Sequence, residues 1–365
     1  MGSQVYPNAF YCGSAHPHRL RNWGAFEDNG RSGLKLHFAV ISGYDRRSLE
    51  GSDVKRTILV ASLMAVGGLS VGGAAWQQQQ KPLTIRQLQK LRDNVYFISG
   101  GDFNERDTWT GGNCMVLVGD KGVVLVDTML PGAAKGILAQ IKSVTDKPVT
   151  TIINTHTHFD HTGSNTEFAP TVEFIAQENT RANLARAECQ QVTNCGAFKG
   201  ENAKYLPKRT FKDRLTLFSG KDQIELYYFG RGHTSGDTFV VFPAARAMHA
   251  GDMYPRAQMP FIDVAASGGN AVDFNQTLQR AVSTIKNIDI VVGGHTPSPV
   301  TWNDFKIYTD FYKDFFTAAQ EAIKKGMPAD EFAKAYRVAD KYKGFQADAP
   351  SVKANVDAIW AESKK

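Results

Sequence analysis

One stretch of the sequence decides both the fold and the chemistry: Val149-Thr-Thr-Ile-Ile-Asn-Thr-His156-Thr-His158-Phe-Asp160-His161. Its β-branched beginning predicts a strand at 149–154, which ends where a polar run begins. Three imidazoles and one carboxylate in six residues favour a divalent metal, because buried imidazoles so close together would otherwise need many separate partners. His156 and His158 alternate and could share one ion. Asp160 and His161 begin the next turn and could face a second ion.

Three later segments supply the ligands that these four side chains lack. They read Gly-Arg-Gly-His233-Thr-Ser-Gly-Asp, Ala-Gly-Asp252 and Gly-Gly-His295-Thr-Pro. Each follows or connects predicted strands, where loops gather at one edge of a sheet. Taken alone, His233 could equally be an ordinary loop residue. Asp252 taken alone could be an ordinary turn residue. Together with the first stretch, they predict a site of five histidines and two aspartates.

Strands and helices alternate along the main part of the chain. Apolar alternation predicts strands at 94–99, 113–119, 122–127, 149–154, 172–176, 214–218, 223–229, 238–242, 246–250 and 289–293. Helical periodicity predicts helices at 131–144, 177–188, 273–285, 303–325, 329–342 and 351–363. We interpret 76–93 as an N-terminal tail, 94–300 as one mixed α/β domain with helices covering its sheets, and 301–365 as a helical C-terminal extension of that domain.

The ordered motif set resembles that of the metallo-β-lactamase superfamily. The resemblance covers residues 94–299, including the apolar strand that ends at Asp127, and it implies a four-layer αβ/βα sandwich with a metal site at the edge between the two sheets. The ligands that it implies are His156, His158 and His233 for one metal, Asp160, His161 and His295 for the other, and Asp252 as a bridge. Nitrogen and carboxylate ligands without thiolate suit two zinc ions, and they also suit iron or manganese. Thr155, Thr234 and Asp127 are candidates to fix the imidazole tautomers.

This ligand set predicts a hydrolase. A water shared by two divalent ions would ionise near neutral pH and attack an electrophilic carbonyl. Asp160 could orient this water and accept its proton in addition to binding metal. Asp252 stands where the best-known zinc β-lactamases carry cysteine, although the surrounding loops are typical of that group. We therefore expect an ester, thioester, lactone or β-lactam type of substrate.

Two other functions fit the same residues. The motif set is also similar to that of iron-dependent persulfide dioxygenases, which are oxidoreductases that use only the three-imidazole half of the site. The chain could alternatively be a non-catalytic, exported metal-binding accessory protein. Metal analysis combined with turnover assays separates these alternatives from hydrolysis.

Four residues outside the ligand set are candidates for substrate contact or cross-linking. Arg256 could bind a substrate carboxylate, or it could be a solvated loop charge. Asn270 could stabilise an oxyanion, or it could cap the helix that follows it. Cys189 and Cys195 are six positions apart in a polar loop and could form a disulfide in an oxidising compartment.

The first 75 residues differ from the rest of the chain. Lys55 and Arg56 precede an uncharged, apolar stretch that ends in small residues before Trp76. This pattern predicts a signal peptide at 54–75 and a periplasmic or secreted protein, with membrane attachment only through an uncleaved signal. Residues 1–53 show no periodicity, and we interpret them as an untranslated or disordered extension.

Composition limits the partners that this chain can have. Its 365 residues include 42 Lys and Arg against 36 Asp and Glu, a net charge of +6 without a basic stripe. This near balance gives no support for nucleic-acid binding, so a small-molecule substrate is the expected partner. Four cysteines are too few for a disulfide scaffold, whereas 42% apolar residues are enough for a large core. The oligomeric state stays open.

Overall fold

The computed structural model describes residues 83–364, which form two β-sheets with helices on their outer faces. The predicted extension at 1–53, the predicted signal peptide at 54–75 and the beginning of the predicted tail, at 76–82, lie outside the described residues. Among residues 83–364, none of the helices combines the length and the apolar character that a bilayer span requires.

Within the described residues, the first sheet has seven strands, which lie side by side in chain order. They are β1 (Gln89–Arg92), β2 (Val95–Ile98), β3 (Cys114–Val118), β4 (Val123–Val126), β5 (Val149–Ile153), β6 (Glu173–Gln177) and β7 (Arg209–Phe211). The strands β1 to β4 pair antiparallel, and β4 to β7 pair parallel. The parallel half therefore needs crossover connections, and these carry helices.

The second sheet has six strands in the order β13-β12-β11-β10-β9-β8 within the same range. They are β8 (Arg214–Leu217), β9 (Ile224–Tyr227), β10 (Phe239–Phe242), β11 (Ala247–His249), β12 (Ile290–Val292) and β13 (Val300–Thr301). Only the pair β11 and β12 is parallel among these six strands. A helix therefore connects β11 to β12 across the outer face of this sheet.

The helices of residues 83–364 are α1 (Ala134–Lys142), α2 (Phe159–Thr162), α3 (Glu178–Leu184), α4 (Val264–Ser267), α5 (Ala271–Thr284), α6 (Trp302–Lys324), α7 (Ala329–Ala335) and α8 (Ala349–Ser363), besides short 3₁₀ turns. The longest, α6, begins at a capping box in which Thr301 and Asp304 satisfy each other's backbone N–H groups. Its apolar face is buried against the second sheet.

Three apolar clusters separate four layers. On β3, Val116 points toward α1, whereas its neighbours Met115 and Leu117 point toward the second sheet, as the two-residue period of a strand requires. A third cluster lies between the second sheet and its helices, where the ring of Phe274 of α5 lies 4.7 Å from that of Tyr312 of α6. The resulting order of helix, sheet, sheet and helix confirms the predicted four-layer fold.

The C-terminal helices share a core with the rest of the fold. Phe315 of α6, Phe332 of α7 and Ile359 of α8 belong to the same cluster as Phe274 of α5 and Met248 of β11. Because their apolar side chains are buried there, these helices form the outer layer of the second sheet. The segment predicted as an extension is thus part of the same hydrophobic core.

Several local predictions were wrong, each for a physical reason. The predicted tail contains β1, an exposed edge strand of sequence Gln-Lys-Leu-Arg that gives no apolar alternation. The strands β7 and β13 were not predicted. They span only three and two residues, which is too short to show a recognisable period. The helix predicted at 329–342 ends at Ala335, because Tyr336 adopts an extended backbone and packs its ring 5.3 Å from that of Phe315.

Candidate metal centre

Four chain segments bring the seven predicted ligand side chains together at one edge of the two sheets. The segments are the β5–α2 region (His156, His158, Asp160 and His161), the β9–β10 loop (His233), the turn after β11 (Asp252) and the turn after β12 (His295). All of these side chains are buried except that of His295, which is partly exposed. Strands of both sheets thus end at one site, as their topology requires.

The first group contains three histidines. Nitrogens of His156, His158 and His233 all lie within 4.8 Å of one another. His158 Nδ1 and His233 Nε2 are 2.9 Å apart, and the His156 ring lies edge-on to both, with centroids at 4.7 and 4.8 Å. Three converging nitrogens are a ligand arrangement typical of a zinc site.

The second group contains Asp160, His161 and His295, whose ligand atoms also lie within 4.8 Å of one another. The two Nε2 atoms of His161 and His295 are 3.4 Å apart. Asp160 Oδ2 lies 3.3 Å from His295 Nε2 and 3.6 Å from His161 Nε2. This group mixes nitrogen and oxygen donors, in contrast to the first.

Asp252 lies between the two groups. Its Oδ1 is 3.3 Å from His161 Nε2, and its Oδ2 is 3.2 Å from His295 Nε2 and 3.5 Å from His233 Nε2. One carboxylate therefore reaches members of both groups. This is the position that a bridging ligand between two cations needs.

The outer nitrogens of four histidines are bound to acceptors. These pairs are His156 Nδ1 with Thr155 Oγ1 (3.0 Å), His158 Nε2 with Asp263 Oδ2 (3.0 Å), His161 Nδ1 with Asp127 Oδ2 (2.7 Å) and His233 Nδ1 with the Phe261 carbonyl (2.7 Å). Thr155 Oγ1 donates its own hydrogen to Asp127, so it accepts from His156. A neutral imidazole carries one N–H, so in that form each of these rings has a lone pair on its inner nitrogen, which faces the centre of the site.

Charge is distributed unevenly across the site. Burial lowers the pKa of His156, and the neighbouring His161 and His158 lower it further. Burial also opposes a proton on His161, but the negative charges of three nearby aspartates, Asp160 first, raise its pKa well above the usual value. Burial opposes the charge of Asp252, yet the surrounding imidazoles bring its pKa well below the usual value. The negative charge of the site is thus concentrated around His161.

Two glycines allow the ligands to pack this closely. A Cβ on Gly112 would lie 2.2 Å from Cε1 of His161, and a Cβ on Gly294 would lie 1.7 Å from Oδ1 of Asp252. Both distances are far below van der Waals contact. The backbone at these two positions therefore forms part of the wall of the second group.

Of the three residues predicted to fix imidazole tautomers, two contact an imidazole and one does not. Asp127 accepts hydrogen bonds from the Thr155 backbone N–H (2.8 Å), from the Thr155 hydroxyl (2.7 Å) and from His161. Thr234 instead donates its hydroxyl and backbone N–H to Asp237, at 2.8 Å each. Asp127 and Thr155 thus contact imidazoles as predicted, whereas Thr234 stabilises the turn that carries His233.

Asn270 and Arg256, the two residues predicted to contact substrate, lie in different surroundings. Asn270 is buried at the N-terminus of α5, where its Oδ1 accepts from the Asp273 backbone N–H at 2.8 Å. The structure therefore contains the helix cap, and the oxyanion role stays a prediction. Arg256 lies near the rim of the site, with its guanidinium 3.6 Å from Asp102 and over the ring of Phe103.

The sequence did not identify Asp263 or the Phe261 carbonyl as partners of the site. Asp263 lies eleven positions after Asp252 in a loop without periodicity, so nothing local distinguished it from a solvated charge. Burial raises the pKa of its carboxyl, but hydrogen bonds from His158 and Ser267 outweigh this and lower the pKa to about 2. A carbonyl oxygen leaves no signal in the sequence at all.

A disulfide joins Cys189 and Cys195, with their Cα atoms 5.5 Å apart. The loop that it closes contacts the metal motif: the Thr193 carbonyl accepts from the Thr157 hydroxyl at 3.0 Å, and Asn194 donates to Thr162. The cross-link therefore lies next to the segment that carries four of the seven ligands.

This geometry agrees with comparisons to known proteins. A family model of the metallo-β-lactamase superfamily matches residues 107–295, just over half of the chain and all seven candidate ligands. The chain belongs to this superfamily, whose members bind metal ions. The metallo-β-lactamase from Pontibacter korlensis superposes with a TM-score of 0.51 at 19% identity, covering 63% of this chain and 99% of that one, which supports the fold alone.

Two characterised relatives have different names. The 2,4-dinitroanisole O-demethylase subunit alpha of Nocardioides sp. (strain JS1661) is 31% identical over 168 residues, which are 45% of this chain and 45% of that subunit. The metallo-beta-lactamase type 2 of Elizabethkingia meningoseptica is 26% identical over 212 residues, which are 57% of this chain and 78% of that enzyme. The chain thus spans less than half the length of the first of these relatives.

Proposed function

We propose that this protein is a metal-dependent hydrolase with a binuclear zinc centre. One observation carries the proposal: three buried histidines, His156, His158 and His233, give their outer N–H groups to fixed acceptors, so that inner nitrogens with lone pairs converge. His158 Nδ1 and His233 Nε2 are 2.9 Å apart, and two lone pairs at this distance repel unless a cation is shared between them. The donor set therefore fits bound cations better than a metal-free core.

The proposed ligands follow the two groups. One cation would be held by His156, His158 and His233, the other by Asp160, His161 and His295, with Asp252 contributing to both. Nitrogen and carboxylate donors without a thiolate suit zinc, which we propose, and they also accept iron or manganese. When bound, two such cations would bring the pKa of water down to about 7 and would polarise an electrophilic carbonyl.

Asp160 is the residue that we propose as the proton acceptor. Its carboxylate is mostly buried and lies 3.3 Å from His295 Nε2, so it faces the space between the two groups. From there it can orient a water molecule and take its proton. Six of the seven ligand side chains are buried, which limits the access of bulk water to the reacting groups.

The rim of the site supports an electrophilic substrate with an apolar part: an ester, thioester, lactone or β-lactam. Phe261 is 61% exposed, with its ring 5.9 Å from that of His233, and Phe103 is 44% exposed, with its ring 6.1 Å from that of His295. Beside Phe103, Arg256 offers a positive charge that is held by Asp102. A substrate anion would compete with Asp102 for this guanidinium.

A hydrolysis panel with measured metal content tests the proposal. The full-length protein should contain two zinc ions and hydrolyse at least one ester, thioester, lactone or β-lactam, and complete chelation should abolish turnover until zinc is restored. Asp160→Asn should lower kcat by about 10²- to 10⁴-fold. Asp120→Asn removes a charge from the exposed turn after β3 and serves as the matched control.

Three results would contradict the proposal. Turnover that survives complete chelation excludes metal catalysis, and full metal loading without turnover on the panel favours an accessory metal-binding protein. Activity restored only by iron, with oxidation of a thiol persulfide, favours the dioxygenase alternative. Within the hydrolase proposal, Asp252→Cys should raise β-lactam turnover if the site has a lactamase-like frame, because cysteine is the ligand that zinc β-lactamases carry there.

The 31% identity to an O-demethylase subunit favours a second candidate substrate, an aryl methyl ether. The exposed rings of Phe103 and Phe261 could stack on an arene. Adding 2,4-dinitroanisole to the panel and measuring release of the dinitrophenolate tests this candidate directly. No release under conditions where the zinc-loaded protein hydrolyses another substrate would exclude it.

We also propose that the protein is exported to the periplasm or secreted. The signal-like segment at 54–75 and the Cys189–Cys195 disulfide support this, because disulfides persist in oxidising compartments. Fractionation of cells expressing the native gene, with the mass of the mature protein, tests the proposal. Full-length protein found only in the cytoplasm would contradict it.

A further inference from the structure

Two of the four acceptors that hold the histidines come from one short segment, residues 260–267, which we call the orienting segment. Its Phe261 carbonyl accepts from His233 Nδ1 at 2.7 Å, and its Asp263 carboxylate accepts from His158 Nε2 at 3.0 Å. Both histidines belong to the first group. We propose that the orienting segment sets the tautomers of this group and that Asp263 is its positioning residue; this inference rests on the proposed metal centre.

Asp263 is bound at both carboxylate oxygens. Oδ1 accepts from the Ala266 backbone N–H at 2.9 Å and so caps α4, whereas Oδ2 accepts from His158 and from the Ser267 hydroxyl, at 3.0 and 2.5 Å. The side chain is 4% exposed. A carboxylate held in this way has no freedom to turn, so the proton of His158 is fixed on Nε2 and the lone pair on Nδ1.

The backbone ties the same segment to the loop of His233. The Asp263 N–H donates to the His233 carbonyl at 2.9 Å, and the Ser235 N–H donates to the Ser267 carbonyl at 3.0 Å. On the other side, Asn355 of α8 donates to the Pro260 carbonyl at 2.9 Å. The C-terminal helices thus secure the segment from outside, while the first group of histidines contacts it from inside.

The second group is oriented from a different part of the fold. His161 Nδ1 is bound by Asp127, which follows β4 of the first sheet. Among the described residues, no hydrogen bond joins Asp127 to the orienting segment. Substitution of Asp263 should therefore affect the first group alone. Asp127 binds His161 directly and also binds Thr155, the acceptor of His156, so its substitution should affect both groups.

The substitution Asp263→Asn changes the hydrogen-bond donors without changing the size of the side chain. If its oxygen keeps the cap on Ala266, its amide N–H₂ faces His158, which must then accept at Nε2 and carry its proton on Nδ1. If the amide group rotates by about 180°, its N–H₂ group faces the Ala266 backbone N–H, which is also a donor. The N-terminal hydrogen bond of α4 is then lost. The first orientation keeps the cap and is the one that we expect; it leaves His158 with a proton on Nδ1 and without the lone pair that would face a metal.

The experiment measures the tautomer of each histidine by ¹⁵N NMR in the metal-free full-length protein and then titrates zinc against a chromophoric chelator. The wild type should carry the His158 proton on Nε2 and bind two zinc ions. Asp263→Asn should move the proton to Nδ1 and weaken one zinc site by about 10- to 100-fold, leaving the other unchanged. Asp127→Asn should instead weaken both sites, because Asp127 binds His161 directly and holds His156 through Thr155.

Asp348→Asn is the matched control, because Asp348 also caps a helix, accepting from Ser351 N at 2.8 Å, and contacts no imidazole. It should leave tautomers and zinc affinities unchanged. The proposal is overturned if the wild type has the His158 proton on Nδ1, or if Asp263→Asn matches the wild type in both measurements. If the wild type binds no zinc, the proposed function fails, and the tautomer comparison still decides the role of Asp263.

Discussion

Replacing Gly112 by alanine is the sharpest steric test of the second metal group. The added Cβ would lie 2.2 Å from Cε1, 2.5 Å from Nε2 and 2.6 Å from Nδ1 of the His161 ring. The ring must retreat by about 1.2 Å to reach ordinary contact distance. The φ angle of Gly112 is outside the left-handed region, so alanine brings no backbone strain and the effect is that of the methyl group alone.

This displacement is large compared with the tolerance of a metal site. Zinc–nitrogen bonds are about 2.0–2.1 Å long and vary by about 0.2 Å, so a ring moved by about 1.2 Å cannot bind the same ion. The move also disrupts the 2.7 Å hydrogen bond between His161 and Asp127. We expect zinc content to fall from two ions to one, and overpacking to cost about 1–3 kcal/mol of unfolding free energy.

The assay is zinc content by mass spectrometry after dialysis, together with urea unfolding of the metal-free protein. Gly196→Ala is the matched control, because a Cβ there has no heavy atom within 4 Å and the φ angle is also outside the left-handed region. It should retain two zinc ions. If Gly112→Ala also retains two zinc ions with wild-type affinity, the assignment of His161 as a ligand is wrong.

Three further predictions concern stability. Reducing the Cys189–Cys195 disulfide, or replacing both cysteines by serine, should lower the free energy of unfolding by about 2 kcal/mol in urea titrations, because the unfolded chain loses a cross-link. Burial, with Asp304 nearby, raises the pKa of Tyr254 to about 12 from 10.0, so the folded state keeps this proton where the unfolded state releases it. Stability should therefore fall as the pH rises from about 10 toward 12, and Tyr254→Phe should show less of this fall. Asn355→Ala removes a buried donor to a carbonyl and should cost about 1–3 kcal/mol, measured by urea unfolding of the metal-free protein.

The metal motif could be predicted because its information is local. His156, His158, Asp160 and His161 follow a β-branched strand within six residues, and strand alternation with a following turn already determines how they are presented. The long strands and helices were predicted for the same reason, since their periodicity is contained in short windows. The polar edge strand β1 was not, because its pairing with β2, rather than its own composition, makes it a strand.

The orienting contacts could not be predicted because they join distant parts of the chain. Asp263 and His158 are 105 positions apart, and Phe261 and His233 are 28 apart. An aspartate in an irregular loop looks like a solvated charge until the fold buries it, and a backbone carbonyl has no sequence identity. Asn270 shows the same limit, because its cap at the start of α5 became visible only in the folded chain.

The sequence by itself determined the layered α/β fold and the residue types of the site, because periodicity and the spacing of imidazoles and carboxylates act over short segments. Only the tertiary structure decided which nitrogen of each histidine faces the centre, since that choice depends on acceptors supplied by β4, by the loop before α4 and by the β5 terminus. It also decided that Gly112 and Gly294 must lack side chains, because close approach between distant segments exists only in the folded chain.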